Sequence, residues 1–305
     1  MIISRRQTIK NLAIAGIGLT TLPVLNFNKK SMSKRAIPST GELLPVIGLG
    51  TWQTFDVGNS IDDQERLQTV LNEMLQLGGT MIDSSPMYGT SEKVVGDLSQ
   101  KTADANGFFY ATKVWTTGEQ SGINEMNASF QKMQRDTMDL MQIHNLLDWK
   151  THLKTIRKWK ASGKIRYWGV THYVDSAHQE LADFIKAERP DFVQFNYSIR
   201  DRHAEKFLLP TAQEFGTATI INRPFETGKL FPLVKGKKLP EWASDYDIHS
   251  WGQFFLKFIL SHPGVNCVIP GTSKVKHLID NMKAGYGRFP DEKGREKMAQ
   301  FIEKL

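Results

Sequence analysis

The sequence predicts an α/β fold, specifically a parallel (β/α)8 TIM barrel formed by a single domain. With 305 residues, the chain is long enough to bury the core of one large domain. Short apolar runs recur mostly 26 to 31 residues apart with helix-like segments between them, so each interval holds one strand and one helix. The runs are almost continuously apolar, as expected for parallel strands buried on both faces. They centre on Ile82, Tyr110, Met141, Trp168, Gln194, Ile220 and Val268.

The N-terminal segment, residues 1–36, is predicted to be a twin-arginine-type export signal and linker ahead of a barrel spanning residues 37–305. Arg5 and Arg6 precede the fourteen uncharged residues from Leu12 to Leu25. A membrane span needs about 20 residues, so a basic start followed by this shorter apolar stretch favours a signal over an ordinary apolar first helix. We therefore expect the Tat export machinery as a partner and a periplasmic location, with retention at the inner membrane if the signal is uncleaved.

The basic charge of the chain is concentrated in the same segment. Residues 1–36 contain seven basic and no acidic residues, which equals the whole net charge of +7. The remaining 32 basic residues balance 32 acidic ones, so the basic pI does not indicate a nucleic-acid partner for the barrel. The single cysteine, Cys267, falls in the predicted eighth strand, where we expect a buried apolar side chain.

Along the barrel, Ile47–Gly50 is the predicted first strand, and the intervening helices carry apolar residues at helical spacing, for example Leu67, Val70, Leu71 and Met74. The longest interval contains the polar, basic stretch Lys229–Tyr246. We predict that it forms a loop after the seventh strand and lies over the mouth of the barrel, since active sites of such barrels occupy the loops that follow the strands. The chain after Pro290 is predicted to end in one amphipathic helix.

Four residues suited to proton transfer lie at or just past the ends of three successive apolar runs: Asp83, Tyr88, Lys113 and His144. A tyrosine phenol, with a pKa of about 10, exchanges its proton slowly at neutral pH. A nearby ammonium lowers that pKa, a carboxylate holds the ammonium in place, and an imidazole donates a hydrogen bond or passes a proton. Alone, three of them have simpler interpretations: Asp83 as a cap, Lys113 as an exposed strand end and His144 as a core imidazole. Together they predict a proton-transfer site.

At these residues the chain resembles the aldo-keto reductase family, whose Asp, Tyr, Lys, His tetrad follows the same order on the second, third and fourth strands and their loops. Other matching segments are Val46–Gln53, Glu92–Leu98, Gly169–Thr171, Val193–Tyr197 and Val268–Ser273. The resemblance implies an NAD(P)(H)-dependent oxidoreductase that reduces an aldehyde or ketone or oxidises the alcohol. Tyr88 would be the proton donor or acceptor, assisted by Lys113, Asp83 and His144. A sugar, a small aldehyde or a quinone-like carbonyl is compatible with it.

The resemblance also implies the cofactor contacts. The segment after the eighth strand opens a helix, and helix N-termini favour phosphate. Its members are Gly271, Thr272, Ser273, Lys274, His277 and Asn281. Near the nicotinamide, Thr171 and Gln194 are expected to bond the carboxamide, while His172 and Asn222 replace the family's Asn and its stacking aromatic residue. We expect NADP(H) ahead of NAD(H).

Trp52 and Trp115 are predicted to line the substrate pocket. The alternative function is a non-catalytic, nucleotide-binding barrel that senses redox state and couples to a partner protein. A hydrolase using two carboxylates is disfavoured, because the fourth strand ends in His144 where a second carboxylate is needed. The eight histidines show no metal-ligand spacing, so no metal is expected.

Overall fold

The computed structural model describes residues 31–305, and the predicted signal up to residue 30 lies outside this range. The described chain begins with an antiparallel hairpin of two strands, β1 (Lys34–Ala36) and β2 (Leu43–Pro45), in which Arg35 pairs with Leu44. Ile37 and Leu44 from this hairpin pack in the same apolar cluster as strand residues such as Met81 and Phe109. The hairpin therefore covers one end of the barrel interior.

Eight further strands form one parallel sheet whose order follows the sequence. Bridges from Ile47 to Val268 and from Gly50 to Gly271 join its two edges, so the barrel is nearly closed and the predicted fold is confirmed. A Cβ at Gly50 would lie 2.9 Å from the carbonyl oxygen of Ile269, so this close approach requires glycine. The strands are β3 (Leu49–Gly50), β4 (Met81–Asp83), β5 (Phe109–Val114), β6 (Met138–His144), β7 (Ile165–Thr171), β8 (Phe192–Asn196), β9 (Ala218–Asn222) and β10 (Cys267–Val268).

The helices pack around the sheet through their apolar faces. Leu67, Val70, Leu71 and Met74 of the first helix are fully buried, as their helical spacing predicts. Within residues 31–305, no helix has the length and apolar character needed to cross a membrane. The helices are α1 (Ile61–Gln76), α2 (Ser91–Ser99), α3 (Glu119–Lys132), α4 (Trp149–Ala161), α5 (His178–Glu188), α6 (Leu208–Glu214), α7 (Leu230–Leu233), α8 (Trp251–Leu260), α9 (Val275–Lys283) and α10 (Glu292–Glu303).

Inside the barrel, alternate residues of the strands form a separate apolar cluster that includes Phe109, Leu140, Phe192 and Ile220. Cys267 belongs to it and is fully buried, as predicted. Burial raises the pKa of the Cys267 thiol, so this residue is an inert part of the core.

Two sequence-based boundaries differ in the structure. Residues 32–36, assigned to the linker, pack on the barrel: Met32 is 6% exposed in the main core, and Ser33 N donates to Gly285 O at 2.9 Å. The predicted loop Lys229–Tyr246 contains helix α7 and a short 3₁₀ helix, Glu241–Tyr246. Leu230 and Ala243 are buried, and this anchoring orders a segment whose polar composition favoured a loop.

Candidate active site

Three of the four predicted catalytic residues, Asp83, Tyr88 and His144, line a cavity of about 560 Å³ at the carboxyl ends of the strands, where the loops after the parallel strands meet. Ten of the predicted site residues form part of its wall: Trp52, Asp83, Tyr88, Trp115, His144, Thr171, His172, Gln194, Asn222 and Gly271. Lys113 lies behind the wall and is fully buried.

Asp83 and Lys113 form a buried ion pair beneath this cavity. Lys113 Nζ lies 2.6 Å from Asp83 Oδ2 and donates to Ser84 O at 2.7 Å. The other carboxylate oxygen, Asp83 Oδ1, accepts hydrogen bonds from the side-chain amides of Gln142 and Gln194, each at 3.0 Å. Burial alone would lower the pKa of Lys113, but attraction from Asp83 and Tyr88 raises it above its ordinary value. The lysine is therefore held charged.

Tyr88 is the partly exposed member of the group, with its ring centroid 5.1 Å from Lys113 Nζ. Burial raises the pKa of the Tyr88 phenol above its ordinary 10.0, while the charge of Lys113 acts in the opposite direction. Lys113 thus has the effect expected from the sequence, but the net direction is the reverse of the predicted lowering because burial outweighs it. The phenol is consequently protonated at neutral pH.

His144 ends strand β6 and is 5% exposed. Burial, followed by the positive charge of Lys113, lowers the pKa of His144 to about 2, so its imidazole is neutral. Its Nδ1 lies 3.1 Å from the Ser85 hydroxyl, and its ring meets that of Tyr88 edge-on with centroids 6.0 Å apart. A neutral imidazole offers one donor and one acceptor nitrogen, so His144 can donate a hydrogen bond to a carbonyl oxygen beside Tyr88.

The residues predicted to contact the nicotinamide are hydrogen-bonded to neighbouring groups of the protein. Thr171 Oγ1 accepts a hydrogen bond from Asn145 N at 3.3 Å, and Asn222 Nδ2 donates to His172 O at 3.0 Å. Gln194, expected at the carboxamide, instead directs its amide group to Asp83. The side-chain oxygens of Asn145 and Asn222 are buried without a partner among the described residues. Both side chains line the cavity, so they fit a ligand that carries N–H donors, such as a carboxamide.

The predicted phosphate-binding segment lies farther away. Of its residues only Gly271 is in the cavity wall, while Thr272, Ser273, Lys274, His277 and Asn281 lie on the turn into α9 and on that helix. Thr272 Oγ1 accepts from Lys274 N at 3.1 Å, which orders the turn. Arg66, which was not predicted from the sequence, pairs with Asp63 and donates from Nε to Ser273 O at 3.1 Å, so its guanidinium lies beside this turn. Its place on α1 gave no sequence signal.

Several other side chains of the wall were not predicted from the sequence. They follow β4, β6, β7 and β9, in loops or, for the last of them, in α7, and carry no motif of their own: Met87, Asn145, Tyr173, Arg223, Phe225 and Phe231. Residues of this kind follow strand ends, so the positions just past each predicted strand were the available signal.

Comparison with known proteins gives consistent matches. The model of the aldo/keto reductase family matches residues 46–296. The methylglyoxal reductase YeaE of Escherichia coli (strain K12) is 30% identical over 259 residues, covering 82% of this chain and 89% of that protein. An NADH-specific methylglyoxal reductase of the same organism is 27% identical over 250 residues, 70% and 73% of the two chains. An aldo-keto reductase from Klebsiella pneumoniae, solved in complex with NADPH, has the same fold, with a TM-score of 0.73 at 24% identity over 90% of this chain and 95% of its own.

Proposed function

Because the chain belongs to the aldo/keto reductase family, we propose that it is an NAD(P)H-dependent oxidoreductase that reduces an aldehyde or ketone, or oxidises the corresponding alcohol. The observation that carries this proposal is the buried Asp83–Lys113 ion pair next to the Tyr88 phenol at the wall of the cavity. A buried charge pair is costly unless it is fully hydrogen-bonded, and this one is directed at a single proton-carrying group.

The roles of the chain's own residues follow from their protonation states. The protonated Tyr88 delivers its proton to the oxygen of the carbonyl, and Lys113 stabilises the phenolate that remains. Asp83 keeps Lys113 charged and positioned, while neutral His144 orients the oxygen by a hydrogen bond. When bound, the nicotinamide supplies hydride to the carbonyl carbon. In the oxidising direction, Tyr88 accepts the proton.

We propose NADP(H) as the cofactor. Asn145 and Asn222 would accept from the carboxamide, and Thr272, Ser273 and Lys274 at the start of α9 would hold the phosphates, with Arg66 nearby. The Klebsiella pneumoniae neighbour was solved with NADPH, which supports this choice, whereas one relative is NADH-specific. Titration of the tryptophan fluorescence with both nucleotides compares the two affinities.

The test of the proposed function is Tyr88→Phe. We expect turnover of methylglyoxal with NADPH to fall roughly 10²- to 10⁴-fold, the usual contribution of a positioned acid. NADPH affinity should be unchanged, because the phenol is assigned to the carbonyl. Tyr173→Phe is the matched control, since Tyr173 lines the same cavity and has no assigned role in proton transfer. Full activity of the Tyr88 variant would contradict the assignment, and NADPH binding by the unaltered protein without turnover of any carbonyl compound would favour the non-catalytic redox sensor.

We also propose export by the twin-arginine route to the periplasm. The support is the Arg5–Arg6 pair ahead of the uncharged stretch from Leu12 to Leu25, which lies outside the described residues. Because this route carries folded proteins, the nucleotide would be bound before export.

A further inference from the structure

Arg223 is an unbalanced cation in the wall of the cavity. It follows β9 directly, and it shares that wall with one other charged side chain, Asp83, which is paired with Lys113. No carboxylate of residues 31–305 forms an ion pair with Arg223. The acid nearest in sequence, Glu226, accepts a hydrogen bond from the Ser198 hydroxyl at 2.6 Å instead. The cavity therefore carries a net positive charge.

The guanidinium of Arg223 is held by aromatic rings. Its Cζ lies 4.1 Å from the ring centroid of Tyr173, after β7, and 6.0 Å from that of Trp52, after β3. Contact with a ring face occupies the plane of a guanidinium and leaves its N–H donors at the edge free. The backbone of Arg223 has φ +50°, a left-handed conformation that is costly for arginine and is typical of functional positions.

The rim of the same cavity is apolar. Among the described residues eight large hydrophobic side chains are exposed, and five of them line this cavity, each 40% or 41% exposed. They are Trp52, Met87, Trp115, Tyr173 and Phe231. Exposed apolar side chains that cluster around one opening indicate a ligand with an apolar body.

We propose that the carbonyl substrate carries a carboxylate, which Arg223 binds through its free N–H groups while the aromatic rim holds the apolar body. This inference rests on the proposed function and gives its substrate class: an oxo acid or a carboxylated aldehyde. A planar guanidinium binds a carboxylate well because it can donate two parallel hydrogen bonds to the two carboxylate oxygens. Arg223 lines the same cavity as Tyr88, and its charge acts to lower the pKa of that phenol against the larger effect of burial.

The pyrophosphate of the nucleotide offers the same anionic chemistry, so the test must separate the two sources. The probes are 4-carboxybenzaldehyde and its neutral methyl ester, methyl 4-formylbenzoate, reduced by the full chain with saturating NADPH. Their alcohols, titrated by calorimetry into the protein loaded with NADP⁺, report binding independently of turnover. The variants are Arg223→Gln, which removes the positive charge, and Arg223→Lys, which keeps it. Arg200→Gln, on the loop after β8, is the control for loss of a surface cation.

We expect kcat/KM for the acid to exceed that for the ester in the unaltered protein. Arg223→Gln should lower kcat/KM for the acid roughly 10- to 100-fold, mainly by raising KM. This is the effect expected from the loss of one charge-assisted hydrogen bond. Arg223→Lys should recover part of the lost kcat/KM for the acid. The values for the ester, and those of the Arg200→Gln control, should not change. If Arg223→Gln lowers kcat/KM equally for both aldehydes and weakens NADPH binding, Arg223 belongs to the nucleotide site and the proposal is overturned. The proposal is also overturned if the unaltered protein shows no preference for the acid or its alcohol over the ester and its alcohol. If the carboxylated alcohol binds more tightly than the ester alcohol but neither aldehyde is reduced, the role of Arg223 as a carboxylate-binding residue is supported and the proposed oxidoreductase function is contradicted instead.

Discussion

The Lys113 ammonium donates hydrogen bonds to Asp83 Oδ2 and Ser84 O, and its Nζ atom lies 5.1 Å from the ring centroid of Tyr88. These bonds matter because an unpaired buried charge costs several kcal/mol, whereas a paired and hydrogen-bonded one is tolerated. The amides of Gln142 and Gln194 complete the arrangement from β6 and β8 by fixing the other oxygen of Asp83. The two amides therefore hold the Asp83–Lys113 pair in a fixed arrangement beside Tyr88.

The pH dependence of reduction follows from two pKa shifts. Reduction needs the protonated Tyr88, and because burial raises its pKa above 10.0, activity should be lost only as the pH rises beyond 10. The pKa of His144 is lowered to about 2, so this residue stays neutral and adds no acidic limb. We expect kcat/KM for a neutral aldehyde to be level from about pH 6 to about pH 9. Steady-state rates across this range, with circular dichroism to verify folding, check it; a midpoint near pH 7 would contradict these assignments.

Arg35 is one of the residues that tie the hairpin β1–β2 to the barrel. The Arg35 guanidinium donates to the carbonyls of Leu260, His262 and Val265, of which the bond to His262 measures 3.0 Å. Leu260 ends α8, and the last carbonyls of a helix lack partners within it. Arg35 therefore caps α8 and, together with the buried Met32, makes residues 32–36 part of the folded unit.

A comparison of two truncations tests this role of the hairpin. Removing residues 1–30 deletes none of the contacts described for residues 31–305. We therefore expect the free energy of unfolding of this domain to stay the same. Removing residues 1–36 also deletes Met32 and β1, and we expect a loss of at least about 3 kcal/mol from the core side chain and the charged hydrogen bonds. Urea denaturation of both proteins gives the difference. Arg35→Ala in the longer one should reproduce part of it, and equal midpoints would show that the hairpin is dispensable.

At the scale of the whole molecule, the net charge is distributed unevenly along the chain. The +7 net charge resides in residues 1–36, and the remainder is neutral. A barrel without net charge whose candidate active-site cavity contains Arg223 is suited to attracting small anions to that cavity.

Export is tested by a substitution that keeps the charge. Arg5→Lys with Arg6→Lys should leave the protein in the cytoplasm, because the export machinery reads the arginine pair as an address and not as charge. Lys29→Arg with Lys30→Arg is the matched control and should not alter export. Fractionation followed by immunoblotting measures the distribution, and equal periplasmic amounts of the two double variants would contradict the proposed route.

The sequence by itself determined the barrel, and it predicted a candidate site at the carboxyl ends of the strands. Apolar runs at strand-helix intervals imply parallel strands, and residues at the ends of such strands meet on one face, which is why Asp83, Tyr88 and His144 were predicted together. Only the tertiary structure decided the direction of the Tyr88 pKa shift, the engagement of Gln194 by Asp83 and the ordering of α7 inside a predicted loop. These depend on burial and on distances between strands and loops far apart in the chain, and residue spacing along a sequence contains neither quantity.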